Sequence, residues 1–267
     1  MSALQLIVLL AVGLAILLAV AWAVVVRTGQ SGWVDVFWAG GIGVAAIAGA
    51  LLPIEQSPEI TIRAILVSVL VAIWALRLGL YILGRTLGGA VDTRYSQLRE
   101  DWGQQFNAKL FGFFEIQALA GWVLGLSAIA AARNPAPLGL GDALGVIIFV
   151  VAVGGEALSD AQMRAFKADP AHKGKVCDTG LWGLSRHPNY FFEWLGWVAY
   201  VLIGLSLGYP WGWLTLMAPV MMYWLLVKVS GIPPLEAQMR KSRPEAFRSY
   251  EARVRAFWPI PKSGGNR

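Results

Sequence analysis

Apolar residues run along this chain in stretches of about twenty, separated by short polar interruptions. Each stretch is close to the ~20 residues that a helix needs to cross ~30 Å of hydrocarbon. Seven spans are expected, at about 4–26, 33–53, 62–84, 110–132, 140–161, 188–207 and 210–230. The pattern predicts an all-α integral membrane protein, a seven-transmembrane-helix bundle forming one membrane domain over 1–267, with no internal repeat. The first stretch reads as a retained helix rather than a signal peptide, because its apolar run is long, lacks a basic start and is followed directly by more spans.

Composition agrees with the pattern. Hydrophobic residues make up 57% of the chain and charged residues 14%, with mean hydropathy +0.59. A soluble domain carries about 25% charge. Cys177 is alone, which excludes an internal disulfide, and with two histidines in the chain a Cys/His zinc site is excluded too.

The cations are unevenly placed. Four lie between Arg85 and Lys109, five between Arg164 and Arg186, and nine from Lys228 to the end, while the segments around Gln56, Pro135 and Gly208 carry few. By the positive-inside rule the rich segments, 85–109, 162–187 and 231–267, face the cytoplasm. The N-terminus is then expected outside and the C-terminus inside, as an odd number of spans requires. The net charge of +6 is first a matter of topology. Attraction to anionic lipid headgroups is a second consequence, and no basic stripe in a soluble domain points to nucleic acid.

Chemistry concentrates between Lys167 and Glu193. Lys173, Lys175, Arg186, His187 and Asn189 fall here, on a Pro-Ala-His-Lys-Gly turn and a glycine-bearing loop that enters a span. Cations beside flexible backbone suit the phosphates of a soluble cofactor, and retention of positive charge on the inner face is the bland alternative. Pro188 suits the first turn of a helix. Asn189, Glu193 and Trp197 then recur at i, i+4 and i+8, so one face carries them, and an acid in a span points that face into the bundle or a cavity. Upstream, Glu156, Asp160, Arg164 and Lys167 follow one another at helical steps, either as intrahelical ion pairs or as a polar rim for a ribose or adenine.

Other ionisable groups stand alone in spans. Asp35 lies in Gly32-Trp33-Val34-Asp35-Val36-Phe37-Trp38, Glu115 near Gln117, and Arg77 one turn before Tyr81. Arg77 is a candidate structural partner for either acid. The tail places Leu235, Met239, Phe247, Tyr250, Val254 and Phe257 at roughly helical spacings among Glu236, Arg240, Arg243, Arg248 and Arg253, which predicts one or two amphipathic interfacial helices. No Gly-x-Gly-x-x-Gly or Walker-type loop is present. Gly40-Gly41-Ile42-Gly43 and Gly154-Gly155 read as close helix packing.

The segment Leu181-Trp182-Gly183-Leu184-Ser185-Arg186-His187-Pro188-Asn189-Tyr190-Phe191-Phe192-Glu193-Trp194 resembles the signature of the steroid 5-alpha-reductase-like membrane family. The 77–95 segment, the acidic-to-basic step from Glu156 to Lys167, and the tail from Pro233-Pro234-Leu235-Glu236 through Phe257-Trp258-Pro259 agree, so the resemblance covers about 74–262. It implies a bacterial homologue in the cell membrane that takes NADPH from the cytosol and reduces the carbon–carbon double bond of a 4-ene-3-oxo steroid or a similar lipophilic enone. Carried over by position, the cofactor contacts are Glu156, Asp160, Arg164, Lys167, Lys173, Arg186, His187, Asn189, Glu193, Glu236, Arg240 and Tyr250. The family's histidines in the C-terminal segment have no counterpart after His187, and Glu236 occupies the comparable region.

The family's carbonyl-polarising Glu and Tyr from early spans have no motif-level match. By chemistry, Asp35 with Tyr81 or Tyr95 is the candidate polarising set, and Glu193 is a further acid. Trp33, Trp38, Arg77, Glu115 and Trp197 are candidates for lining the substrate's apolar pocket with Asp35, while the other tryptophans serve packing and interfacial anchoring. Two rival readings stay open. One is an S-adenosylmethionine-dependent membrane methyltransferase of the isoprenylcysteine type, which shares the Arg-His-Pro-x-Tyr segment. The other is a non-catalytic sterol-binding membrane protein.

Overall fold

The computed structural model describes residues 1–89 and 93–262. Ten α-helices follow one another in the described chain: α1 Ala3–Thr28, α2 Gly32–Leu51, α3 Ile62–Leu87, α4 Thr93–Trp102, α5 Phe106–Ala132, α6 Leu140–Ala168, α7 Pro188–Gly204, α8 Met217–Trp224, α9 Ile232–Ser242 and α10 Pro244–Arg253. Among the described residues there are no β-strands, only isolated bridges. Among the described residues, six helical stretches are long and apolar enough to cross a membrane: Ala3–Thr28, Gly32–Leu51, Ile62–Leu87, Leu98–Ala132, Leu140–Ala168 and Pro210–Ser242. The chain therefore has the build of a multi-pass membrane protein.

The helix ends are set by local chemistry. Ser2 and Gln5 form a reciprocal capping box at the start of α1, and Gly29 closes it in the left-handed region at φ 72°. Thr61 caps α3 by accepting from the Ala64 N–H at 3.0 Å. The expected loop at 162–187 is shorter than the sequence reading, because Gln162–Ala168 contains no helix breaker and α6 continues until Asp169-Pro170. The expected span at 210–230 is not one regular helix. Pro210 starts a 3₁₀ segment to Leu216, α8 follows, and a π-type turn at Leu225–Val229 precedes α9. Pro233 and Pro234 stand in the first turn of α9, where missing N–H groups cost nothing. At the expected span 188–207 stands α7, 17 residues and roughly 25 Å long, which is not among those six stretches.

The chain divides into two compact units, Met1–Gly141 with Tyr200–Ala218, and Asp142–Ala199 with the described chain from Pro219 on. In the first unit α2 packs on α1, α3 and α5. Leu14, Leu18, Val25, Val34, Phe106, Leu110 and Phe114 form its apolar cluster, with Tyr95 packed among them. Small residues bring the helices close: a Cβ on Gly41 would lie 2.6 Å from a Leu17 methyl, and one on Gly43 would lie 2.6 Å from the Ala75 Cβ. Two arginines tie the ends of this unit. Buried Arg63 donates to the carbonyls of Asn134, Ala136 and Pro137. Arg133 donates to Gly49 at 2.8 Å and Leu52 at 2.6 Å, carbonyls that α2 leaves open at its C-terminus.

Candidate functional site

The second unit holds a buried polar network around Glu236. Gly180, at φ 59°, allows a sharp turn in which the Leu181 N–H donates to Gln162 Oε1 at 2.9 Å, while Trp182 Nε1 donates to the Ser159 carbonyl at 3.0 Å. These bonds fix the 180–187 segment on α6. Ser185 Oγ donates to the Phe257 carbonyl at 2.9 Å, and the Arg186 N–H donates to the Arg255 carbonyl at 2.9 Å, which ties the same segment to the tail.

Arg186 is 7% exposed and Glu236 5%, so their pairing is largely desolvated. Arg186 Nε and Nη2 both reach Glu236 Oε1, at 2.8 and 2.7 Å, and Nη1 donates to the Val254 carbonyl at 2.6 Å. His187 Nε2 lies 3.2 Å from the same carboxylate oxygen, and its ring stacks on Tyr190. Burial pushes the His187 pKa down, opposed by the hydrogen bond and charge of Glu236. The neutral ring with hydrogen on Nε2 suits the contact. The second Glu236 oxygen accepts from exposed Arg240 at 3.1 Å, and Arg240 also reaches Glu251 at 2.6 Å. Tyr250 donates its hydroxyl to the Trp182 carbonyl at 2.5 Å, and burial holds its pKa above the ordinary tyrosine value.

Five residues expected near a cofactor, Arg186, His187, Glu236, Arg240 and Tyr250, are thus brought together and engaged mainly with one another and with carbonyls. The Asn189–Glu193–Trp197 face forms as the spacing predicts: Trp197 Nε1 donates to Glu193 Oε1 at 3.0 Å, and both residues are buried. Asn189 Oδ1 is sealed from solvent and has no hydrogen-bond partner among the described residues. An orphaned buried acceptor of this kind calls for an explanation, such as an absent ligand. Glu156 and Asp160 are buried on α6, whereas Arg164, Lys167 and Lys173 are exposed. The α6 and α7 helices approach closely at Gly155, where a Cβ would lie 2.4 Å from the Phe192 ring.

The residues expected to serve the substrate lie in the first unit, apart from Glu193 and Trp197. Asp35 is half-buried on α2 between Trp33 and Trp38. Trp38 Nε1 donates to the Gln117 carbonyl at 2.9 Å, and its ring meets Trp74 edge-on. Arg77 and Arg85 both stand over the Tyr81 ring, each 6.0 Å from its centroid. Tyr95 is packed edge-on against Phe113 and Phe114. Glu115 Oε1 is buried without a hydrogen-bond partner among the described residues.

Several functional candidates escaped the sequence reading. Glu251 bridges towards Arg240 and supplies carbonyl contacts to Arg186 and Lys262, and a cleft of about 420 Å³ opens beside it, lined by Arg186, Tyr223, Arg255, Phe257, Trp258 and Lys262 among others. The sequence signals for this cleft are the density of cations in the tail and the Phe257-Trp258-Pro259 motif.

In comparison with known proteins, the family model described as "Protein of unknown function (DUF1295)" matches residues 21–254. No curated protein and no solved structure matches the chain.

Proposed function

Taking as its premise that the chain belongs to the DUF1295 family, and adding the resemblance of residues 181–194 to the steroid 5-alpha-reductase-like signature, we propose that it is an NADPH-dependent membrane reductase of a 4-ene-3-oxo steroid or similar lipophilic enone. The proposal carries with it seven spans, with α7 as the sixth, an outer N-terminus, a cytoplasmic C-terminus and residence in a bacterial cell membrane.

The observation that carries the reading is the buried, unpartnered Asn189 Oδ1, one helical turn before Glu193 on the same helix. An amide oxygen held this way accepts an N–H from a ligand amide without first losing a protein partner. Glu193 accepts from Trp197 Nε1 on the same helix, and in this reading it positions such a group. Exposed Arg164, Lys167 and Lys173 supply charge for phosphates, which favours a multiply phosphorylated cofactor over S-adenosylmethionine, which has none. When bound, NADPH supplies a hydride. The Arg186–Glu236–His187 network holds the entry to α7 in place, so that Asn189 and Glu193 present a fixed pair of acceptors. For polarising the substrate oxygen, the acids open to the proposal are Asp35 or, in place of its acceptor role, Glu193, either one donating in the protonated form.

The test is binding of NADPH to detergent-purified protein, followed by reduced-nicotinamide fluorescence, with Asn189→Ala beside the wild type. Binding that weakens in the variant while thermal stability is retained supports the reading. Equal binding in both removes Asn189 from the site, and absence of binding rejects the cofactor.

A further inference from the structure

The tail from Lys228 onward holds nine cations and three acids, Glu236, Glu245 and Glu251, a surplus of six that equals the net charge of the whole chain. Two of the three acids are already neutralised: Glu236 by Arg186 and Arg240, and Glu251 by Arg240 at 2.6 Å. The cleft beside Glu251 therefore presents uncompensated positive charge. Arg255 is exposed, and its guanidinium makes no ion pair or side-chain hydrogen bond among the described residues; Lys262 Nζ points to the Glu251 carbonyl, an uncharged partner.

Aromatic rings line the same cleft. Phe257 meets Trp258 edge-on at 5.2 Å and Tyr223 at 5.3 Å, and Trp194 and Phe191 back the same cluster. Tyr223 and Val227 come from the apolar stretch at 210–242, whereas Arg255 and Lys262 come from the tail that follows α10. Phe257 is buried, but Trp258 is 39% exposed and Ile260 55%. The lining thus combines rings that suit hydrocarbon with cations that suit an anion, within about 420 Å³. That volume suits a headgroup and glycerol better than a lone ion.

We propose that this cleft binds the phosphate headgroup of an anionic membrane lipid, with Arg255 and Lys262 on the phosphate and with Trp258 and Tyr223 against the start of the acyl chains. The same site touches the network that holds α7, because Arg186 and Glu251 line the cleft as well. A bound lipid neutralises Arg255 and Lys262 and fixes the tail segment whose carbonyls hold Arg186 and Ser185.

The experiment is native mass spectrometry of the full chain released from detergent, titrated with dioleoyl-phosphatidylglycerol and separately with dioleoyl-phosphatidylcholine. The proposal predicts one tight phosphatidylglycerol adduct, weaker phosphatidylcholine binding, and a loss of roughly five-fold in affinity for each of Arg255→Gln and Lys262→Gln. Both substitutions change exposed or partly exposed side chains, and a melting curve confirms that the variants fold. Equal affinity for the two lipids, or no change in either variant, overturns the proposal. Displacement of the adduct by millimolar inorganic phosphate alone identifies the cleft as a free-phosphate site and overturns the lipid assignment. Displacement by NADPH assigns the cleft to the cofactor instead, and this result leaves the reductase reading standing while the lipid reading falls.

Discussion

Replacing Glu236 by alanine removes the only carboxylate within 3.2 Å of both Arg186 and His187 among the described residues. Breaking a buried ion pair by deleting one partner leaves an uncompensated charge and costs about 3–5 kcal/mol. Arg186 keeps its 2.6 Å bond to the Val254 carbonyl, and Glu251 stands 3.8 Å from its Nη2, so the lower end, about 3 kcal/mol, is expected. His187 adds little to this, since its buried ring is disposed to be neutral. Arg240 is an internal control: it contacts the same carboxylate from an exposed position, and Arg240→Ala should barely change stability. Equilibrium unfolding in mixed micelles measures both variants, and a cycle with Arg186→Met isolates the pair, with an expected coupling of about 2 kcal/mol. A loss below about 1 kcal/mol for Glu236→Ala, the range of exposed pairs, or equal effects at Glu236 and Arg240, would refute the claim that the network holds the start of α7.

Three further outcomes follow from the same geometry. Because burial lowers the His187 pKa in the fold, its contribution to stability is complete above the unfolded value, about 6.5, and declines as pH falls below it; melting curves from pH 7.5 to 5 should show this decline, and His187→Gln should flatten it. Tyr250→Phe deletes the hydroxyl bond to the Trp182 carbonyl and should cost about 1 kcal/mol by denaturant titration, while an unchanged midpoint would deny that bond any weight. Gly155→Ala would set a methyl 2.4 Å from the Phe192 ring and should cost about 1–3 kcal/mol, against Gly154→Ala, which meets nothing within 4 Å and should be silent.

Much of the architecture was legible because apolar run length alone decides whether a helix can span a membrane. The face carrying Asn189, Glu193 and Trp197 was legible for a similar reason, since i, i+4 spacing guarantees adjacency and the Trp197–Glu193 bond realises it. Pairings over long separations were not. Arg186 and Glu236 stand 50 positions apart, and nothing in periodicity joins them. Arg63 and Arg133 illustrate a second limit: each is a cation in a cation-poor segment, and only the structure shows that they cap backbone carbonyls rather than mark a site. The broken stretch at 210–230 was hidden because hydropathy does not register Pro210, Gly212 or the π-type turn.

The proposed reductase function rests on the Asn189–Glu193 face. The most direct measurement is turnover of a 4-ene-3-oxo steroid by detergent-purified protein supplied in turn with NADPH, NADH and S-adenosylmethionine, with product mass read for the wild type, Asn189→Ala and Glu193→Gln. The expected result is a two-hydrogen mass gain that requires NADPH and falls at least tenfold in both variants, about 1.4 kcal/mol of lost transition-state stabilisation. A methyl-group mass gain with S-adenosylmethionine, or NADPH-dependent reduction unchanged in both variants, would contradict it.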